Sequence, residues 1–128
     1  MEVEVTEITN RELEYLLATA SYGSSWLECH ILKSESILDN LEDFNDREEH
    51  WAHRLLNGGH LVCYDHYDED DEDNPVEHKL SMDDFYRGFA KSIKECPVEL
   101  ANVLSEEGDY CDADAVMQVI LFGEVIYG

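Results

Sequence analysis

The chain has 128 residues, of which 31 are Asp or Glu and 8 are Lys or Arg, for a formal net charge of −23. That balance disfavours direct binding to DNA, RNA or an anionic membrane. The 44% of apolar residues and the aromatic content (7 Tyr, 4 Phe, 2 Trp) exclude a disordered acidic tail, so the charge is expected on one folded domain spanning 1–128.

Residues 2–6 (Glu-Val-Glu-Val-Thr) alternate polar and apolar, which suits a short edge strand or an ordered lead-in. Thr9, with Glu12 three residues on, makes a capping box. Leu13, Leu16, Leu17 and Ala20 then repeat at helical spacing, so a first helix is predicted over about 10–20. Gly23-Ser24-Ser25 breaks it. A second helical region is predicted from Ser34 or Ser36, with Ile37, Leu38, Leu41 and Phe44 as its buried stripe. Asn45-Asp46 gives a break and a new cap, with Glu49 three residues on, and Trp51, Ala52, Leu55 and Leu56 form the next apolar face. Asn57-Gly58-Gly59 is a helix stop, because glycine adopts the left-handed conformation that closes a helix.

His60 to Tyr67 is the clearest strand, and Val76 to Leu80 is its predicted partner. Between them lies a long acidic tip from Asp68 to Pro75. Ser81 with Asp84 resembles another capping box, and Phe85, Phe89 and Ile93 follow at four-residue steps until Pro97 ends the helix. Val98 to Leu104 reads as a short helical turn and residues 105–111 as a loop. Asp112 is the predicted cap of a last helix, Ala113 to Phe122, which is apolar on nearly all sides and therefore expected in the core; Gly123 ends it. The order helix, helix, helix, strand, strand, helix, helix defines an α+β domain: a mostly helical body with one antiparallel β-hairpin packed on it, since a lone hairpin is marginal in water.

Residues 1–10 are acidic and lack the apolar core of a secretory signal, and the longest apolar run, 115–122, holds a Gln and is too short to span a bilayer. A cytoplasmic location with no membrane partner is expected. Cys29, Cys63, Cys96 and Cys111 are widely spaced with no Cys-x-x-Cys pair, so they are expected as reduced thiols.

Three constellations carry possible chemistry. Asp68, Asp70 and Glu72 match the first calcium-ligating positions of a twelve-residue loop, but Asp73 stands where Gly is needed and Lys79 where Glu is needed. The tip is thus either a partner-facing anionic surface or a solvated loop that guards a hairpin edge. His50 and His53 share a helical face and Cys63 and His66 lie three apart, a set with zinc-ligand chemistry but no standard spacing. Cys63 and His66 belong on opposite faces of a strand; His50 and His53 are expected at the surface and Cys63 in the core. Arg87, Lys91 and Lys94 form a small basic flank that has acidic neighbours on its own helix. No nucleophile elbow, phosphate loop or zincin helix occurs, so neither catalysis nor a cofactor is expected.

Three stretches, 50–61, 80–89 and above all Asp112-Ala-Asp114 through Gln118 to Gly123-Glu-Val-Ile-Tyr-Gly128, resemble a family of small acidic proteins of bacteriophages and prophages of gut Firmicutes. The resemblance covers most of 8–128. It implies a phage context and transfers no site residues. Small acidic phage proteins often disarm host machinery, and some imitate nucleic acid to occupy the basic grooves of restriction or CRISPR enzymes.

The expected function is therefore that of a non-enzymatic interaction protein. It binds a basic, nucleic-acid-handling host protein, as an anti-CRISPR or anti-restriction inhibitor does. The candidate partner-binding residues are Asp65, Asp68, Glu69, Asp70, Asp71, Glu72 and Asp73 around the tip, Glu106, Glu107 and Asp109 in the later loop, and Trp26, which serves as an apolar anchor or equally as a core residue. The rival readings are a small metal-dependent or Cys/His enzyme using His50, His53, Cys63 or His66, and a phage accessory module with no defence role.

Overall fold

A computed structural model describes residues 9–69 and 74–127, built from five helices, three strands and two short 3-10 turns. Helix α1 (Asn10–Gly23) starts at the capping box formed by Thr9 and Glu12. It buries Leu13, Leu16, Leu17 and Ala20 on one stripe. Strand β1 (Leu27–Ile31) follows, and 3-10 turns occupy Ser36–Leu38 and Leu41–Asp43. Helix α2 (Arg47–Leu56) is capped by Asp46, whose side chain accepts the Glu49 amide, and it stops where Gly58 takes a φ of 86°. Strands β2 (Leu61–Glu69) and β3 (Pro75–Leu80) form the expected hairpin. Helix α3 (Met82–Glu95), capped by the Ser81–Asp84 box, leads through Cys96 into α4 (Pro97–Leu104) and then α5 (Tyr110–Phe122).

The sheet is antiparallel in the order β1-β2-β3, so the hairpin's long strand is also the central one. Helix α5 is the hub of the helical layer and packs on α1, α3 and α4, while α2 sits on α1 and β1. Its burial follows from its sequence: Ala113, Val116, Met117, Val119 and Ile120 leave almost no polar face, and all are buried. Gly88 on α3 lets the two helices approach; a Cβ there would sit 2.7 Å from the Ile120 Cα. No helix among the described residues is long and apolar enough to cross a membrane.

Four local expectations are corrected. The pattern Leu27-Glu28-Cys29-His30-Ile31 alternates inward and outward as a strand, adding β1 to the hairpin. The helix predicted over the Ile37–Phe44 stripe is replaced by the two 3-10 turns, with Ile37 85% exposed and Leu38 and Leu41 also outside. The reason is Asp39: its carboxylate turns inward to Arg54 and His50, so the flanking apolar residues face out. Helix α5 begins three residues early, because Asp109 is its cap and Asp112 is the reciprocal partner in the capping box. In that last helix Ala115 and Phe122 are only half-buried. The strand or lead-in expected at 2–6 and the tip residues Asp70, Asp71, Glu72 and Asp73 lie outside the described residues.

Cys29 stands opposite Cys63 in the β1–β2 register. The hydrogen bonds from His66 N to Trp26 O and from Leu32 N to His60 O fix the paired positions on either side, so Cys29 and Cys63 fall at a non-hydrogen-bonded site, where side chains come closest. Their sulfurs are 3.3 Å apart, and all four cysteines are free thiols. Burial and the Cys29 contact push the Cys63 thiol well above its ordinary range, the sulfur contact being the larger cause.

Candidate functional site

Where α1 ends, the chain must turn sharply from helix to strand, and Ser24 and Trp26 end up beside α5. Past its capping box, helix α5 carries two polar groups four residues apart, Asp114 and Gln118, so both face the same side. Asp114 Oδ2 accepts hydrogen bonds from Ser24 Oγ at 2.6 Å and from Trp26 Nε1 at 2.9 Å. Its Oδ1 accepts from Gln118 Nε2 at 2.5 Å. Gln118 Oε1 in turn accepts the amides of Ile126 and Tyr127 at 2.8 and 2.7 Å. Gly123, at a φ of 81°, ends the helix in the left-handed conformation that sends the tail back along it.

The returning tail delivers Tyr127 to the sheet. Its hydroxyl donates to Asp65 Oδ2 at 2.5 Å, and Asp65 Oδ1 accepts the Tyr67 amide at 2.9 Å. Burial, then the hydrogen bond to Asp65 and the nearby carboxylate charges, push the Tyr127 hydroxyl up to about 12. The β2–β3 register is interrupted between Asp65 and Glu69. This irregularity leaves Tyr67 turned out beside Tyr127, with ring centroids 5.2 Å apart. The Tyr127 ring also meets Trp26 at 5.4 Å and Phe122 at 5.7 Å.

Together these groups enclose a cleft of about 420 Å³ between the end of α1, the start of α5, β2 and the tail. Trp26, Tyr67, Tyr110 and Tyr127 supply its aromatic surface, Asp114 its carboxylate, and none of its lining residues is basic. Gly23 matters here, because any Cβ at that position would collide with the Tyr110 side chain.

A larger cleft of about 620 Å³ lies between β1 and α2, lined by Cys29, Ile31, Leu41, Phe44, Arg47, His50 and Trp51 among others. Its charges are already matched from within. Arg47 pairs with Glu48 at 2.8 Å and stacks over Trp51 at 5.0 Å. His50 stacks on Phe44 and bonds Asp39 at 3.0 Å. Asp39 also holds Arg54, with Nη2 at 3.0 Å. The smaller cleft differs in having no basic residue among its lining.

The residues expected to meet a partner are placed as follows. Trp26, 2% exposed, takes the core alternative of its two readings, and Asp65, 1% exposed, is corrected from a surface contact to an interior member of the network. Strand parity explains Asp65: it shares the inner face with Leu61 and Cys63. Asp68 and Glu69 are exposed on the strand that leads to the tip. Glu106 takes a left-handed φ of 59° and pairs with Arg11 at 2.7 Å. Glu107 is exposed, and Asp109, although exposed, spends its carboxylate on the amides of Cys111 and Asp112. Asp114, Gln118 and Tyr127 stand in the C-terminal motif that carries the resemblance but were given no site role there, and Tyr67 and Tyr110 were given none either; the signal for Asp114 and Gln118 was their spacing on an apolar helix.

The metal-type set does not converge. His50 is corrected from the surface to a buried position at 6% exposure, and it shares Asp39 with the half-exposed His53. Cys63 lies in the core against Cys29, and the exposed His66 bonds Glu28 at 2.9 Å. Among the described residues, no group of three or more His, Cys, Asp or Glu side chains is arranged to hold a metal ion. Of the basic flank, Arg87 pairs with Asp84 at 3.1 Å.

No protein-family model, curated protein or solved structure matches this chain.

Proposed function

We propose that this is an interaction protein whose acidic surface binds a basic, nucleic-acid-handling host protein. On this reading it is an inhibitor of the anti-CRISPR or anti-restriction kind, acting in the host cytoplasm. The observation that supports it most is the internal use of the arginines. Arg11, Arg47, Arg54 and Arg87 are the only four in the chain, and each is paired to a carboxylate of its own fold. The carboxylates left over face solvent with little to balance them. Asp68, Glu69, Glu107 and Glu124 are exposed, and residues 95–128 carry eight acids and no Lys or Arg.

Duplex DNA presents one charge per about 1.7 Å of axis, and proteins that bind it answer with lysines and arginines. A folded body with clustered Asp and Glu competes for those same cations. Complementary charge of this kind chiefly accelerates encounter, and apolar contacts near it set how long the complex lasts.

The test has two stages. The chain is first used to capture proteins from host lysate at low and high salt, and the captured protein is then tested in pure form. Its affinity should fall steeply as salt rises, and duplex DNA should compete for it. A variant with Asp68, Glu69, Asp70, Asp71, Glu72 and Asp73 changed to Asn or Gln should associate more slowly while dissociating at a similar rate. Affinity indifferent to salt, with no competition by DNA, overturns the reading.

A further inference from the structure

We propose that the cleft bounded by Trp26, Tyr67, Tyr110, Tyr127 and Asp114 is a receptor for a cationic side chain, an arginine presented by the basic partner. This rests on the reading of the chain as an acidic interaction protein and assigns that reading its anchoring point.

Three observations carry it. The first is the carboxylate. Asp114 is half-buried and accepts from Ser24, Trp26 and Gln118, all of them neutral. A carboxylate has about four acceptor positions. Three are occupied, so one acceptor position and a full negative charge remain, fixed in place by donors that cannot neutralise it. Two other inward-facing carboxylates have a cation, Asp39 with Arg54 and Glu48 with Arg47, whereas the more deeply buried Asp65 is met by the neutral Tyr127 hydroxyl and Tyr67 amide and does not line the cleft. Asp114 has none among the residues that line the cleft.

The second observation is the walls. Tyr67 and Tyr110 line the cleft and are more than half exposed, at 59% and 55%. Ring faces attract cations, and a desolvated site strengthens the attraction. A guanidinium suits them better than an ammonium, because it is planar, stacks on rings and is more weakly hydrated. The chain already shows this preference in its own Arg47, which lies over both Trp51 and Tyr22.

The third is charge complementarity around the opening. Asp109, Asp112 and Glu124 belong to the helix start and tail that frame the cleft, and no basic residue occurs from Glu95 to the end of the chain. A cation approaching from outside is attracted at every step, whereas an anion is repelled. The rigid aromatic floor of Trp26 and Tyr127, held by Asp114 and Asp65, is formed in advance and needs no rearrangement.

The experiment is an NMR titration of the full, 15N-labelled chain with blocked arginine (N-acetyl-arginine methylamide), and in parallel with the lysine and glutamine equivalents. The reporters are the Trp26 indole N–H and the amides of Ile126 and Tyr127. Blocked arginine should shift them saturably, lysine more weakly, and the neutral glutamine compound not at all. Tyr110→Ala removes an exposed wall without touching the core, and it should weaken arginine binding by about three- to tenfold, the range expected for one ring face. Asp114→Asn should weaken it further. An octa-arginine peptide separates the two levels of the argument. If the peptide binds in a salt-dependent way but the reporters stay still and Tyr110→Ala binds equally well, the cleft assignment falls and the acidic-surface reading stands. If the peptide does not bind the wild-type chain even at low salt, both fall. Equal shifts with arginine and glutamine compounds also overturn the cleft assignment.

Discussion

Asp114 and Trp26 are 88 residues apart in the chain, yet the indole N–H of Trp26 donates to Asp114 Oδ2 at 2.9 Å. The same oxygen takes the Ser24 hydroxyl, and the other takes Gln118, which holds the tail amides. One carboxylate thus ties the α1–β1 turn, the central helix and the tail into a single unit.

Replacing Asp114 by Ala should therefore lower stability by about 2–4 kcal/mol, since hydrogen bonds to a charged group are worth about 1.5–3 kcal/mol and the donors left behind are partly shielded from water. Chemical denaturation measures it. Gln118→Ala should be strongly non-additive with Asp114→Ala, because the two side chains act through one network. Simple addition of the two losses would show that the tail is held independently.

Two glycine variants should separate crowding from backbone strain. At Gly88 a new Cβ would lie 2.7 Å from a backbone atom of Ile120, which cannot step aside. Gly88→Ala should destabilise by about 2–3 kcal/mol through overpacking. At Gly58 nothing lies within 4 Å, but φ is 86°. Gly58→Ala should lose only about 1 kcal/mol, the cost of a left-handed conformation for an L side chain. Thermal melts of both should rank Gly88→Ala lower.

The buried pair Asp39–Arg54 sets a pH dependence. Burial raises the Asp39 carboxyl, but the hydrogen bonds from His50 and Arg54 and the charges of Arg54 and His53 outweigh it, leaving the group below its ordinary value. A carboxyl lowered by folding stabilises the fold above its unfolded value, and that contribution is lost as pH falls through the folded value. Asp39→Asn should thus be less stable than wild type by about 2–4 kcal/mol at neutral pH, because it leaves Arg54 inside without its partner. The gap should narrow as pH falls from about 4 downwards. The comparison of variant and wild type removes the general relief of acid–acid repulsion that affects both. A gap that is constant with pH would refute the assignment.

Thiol reactivity should be sharply uneven. Cys29, Cys63 and Cys96 are buried, and burial also pushes the Cys96 thiol up. Cys111 is exposed. In the folded protein a mild alkylating reagent should label Cys111 first and leave the other three until the chain is denatured. Mass spectrometry of the labelled sites decides this, and early labelling of Cys63 would contradict the packing.

Much of the scaffold was legible because it is local. The boxes at Thr9–Glu12 and Ser81–Asp84, the Asp46 cap and the Gly58 and Gly123 stops all depend on residues within a few positions of each other. Strand β1 was legible in principle from its alternation, but five residues give a weak signal. The exposed stripe of Ile37, Leu38 and Leu41 was not legible, since its orientation depends on Asp39 reaching Arg54, fifteen residues further on. The aromatic cleft was still less so: Trp26 meets its partner on α5, Asp65 meets Tyr127, and no local pattern records either pairing.

The long separations in this network also govern when it forms. Ser24 and Asp114 are 90 residues apart, and Asp65 and Tyr127 are 62 apart. Closing loops of that size loses chain entropy before any contact rewards it. The capped helices and the hairpin are therefore expected to assemble first, and the long-range Asp114 and Asp65 contacts to close last. Contacts absent from the transition state act on the exit from the native state rather than on the approach to it. The Asp114 network is thus a latch on unfolding: loosening it should shorten the lifetime of the folded chain while leaving its speed of folding nearly unchanged.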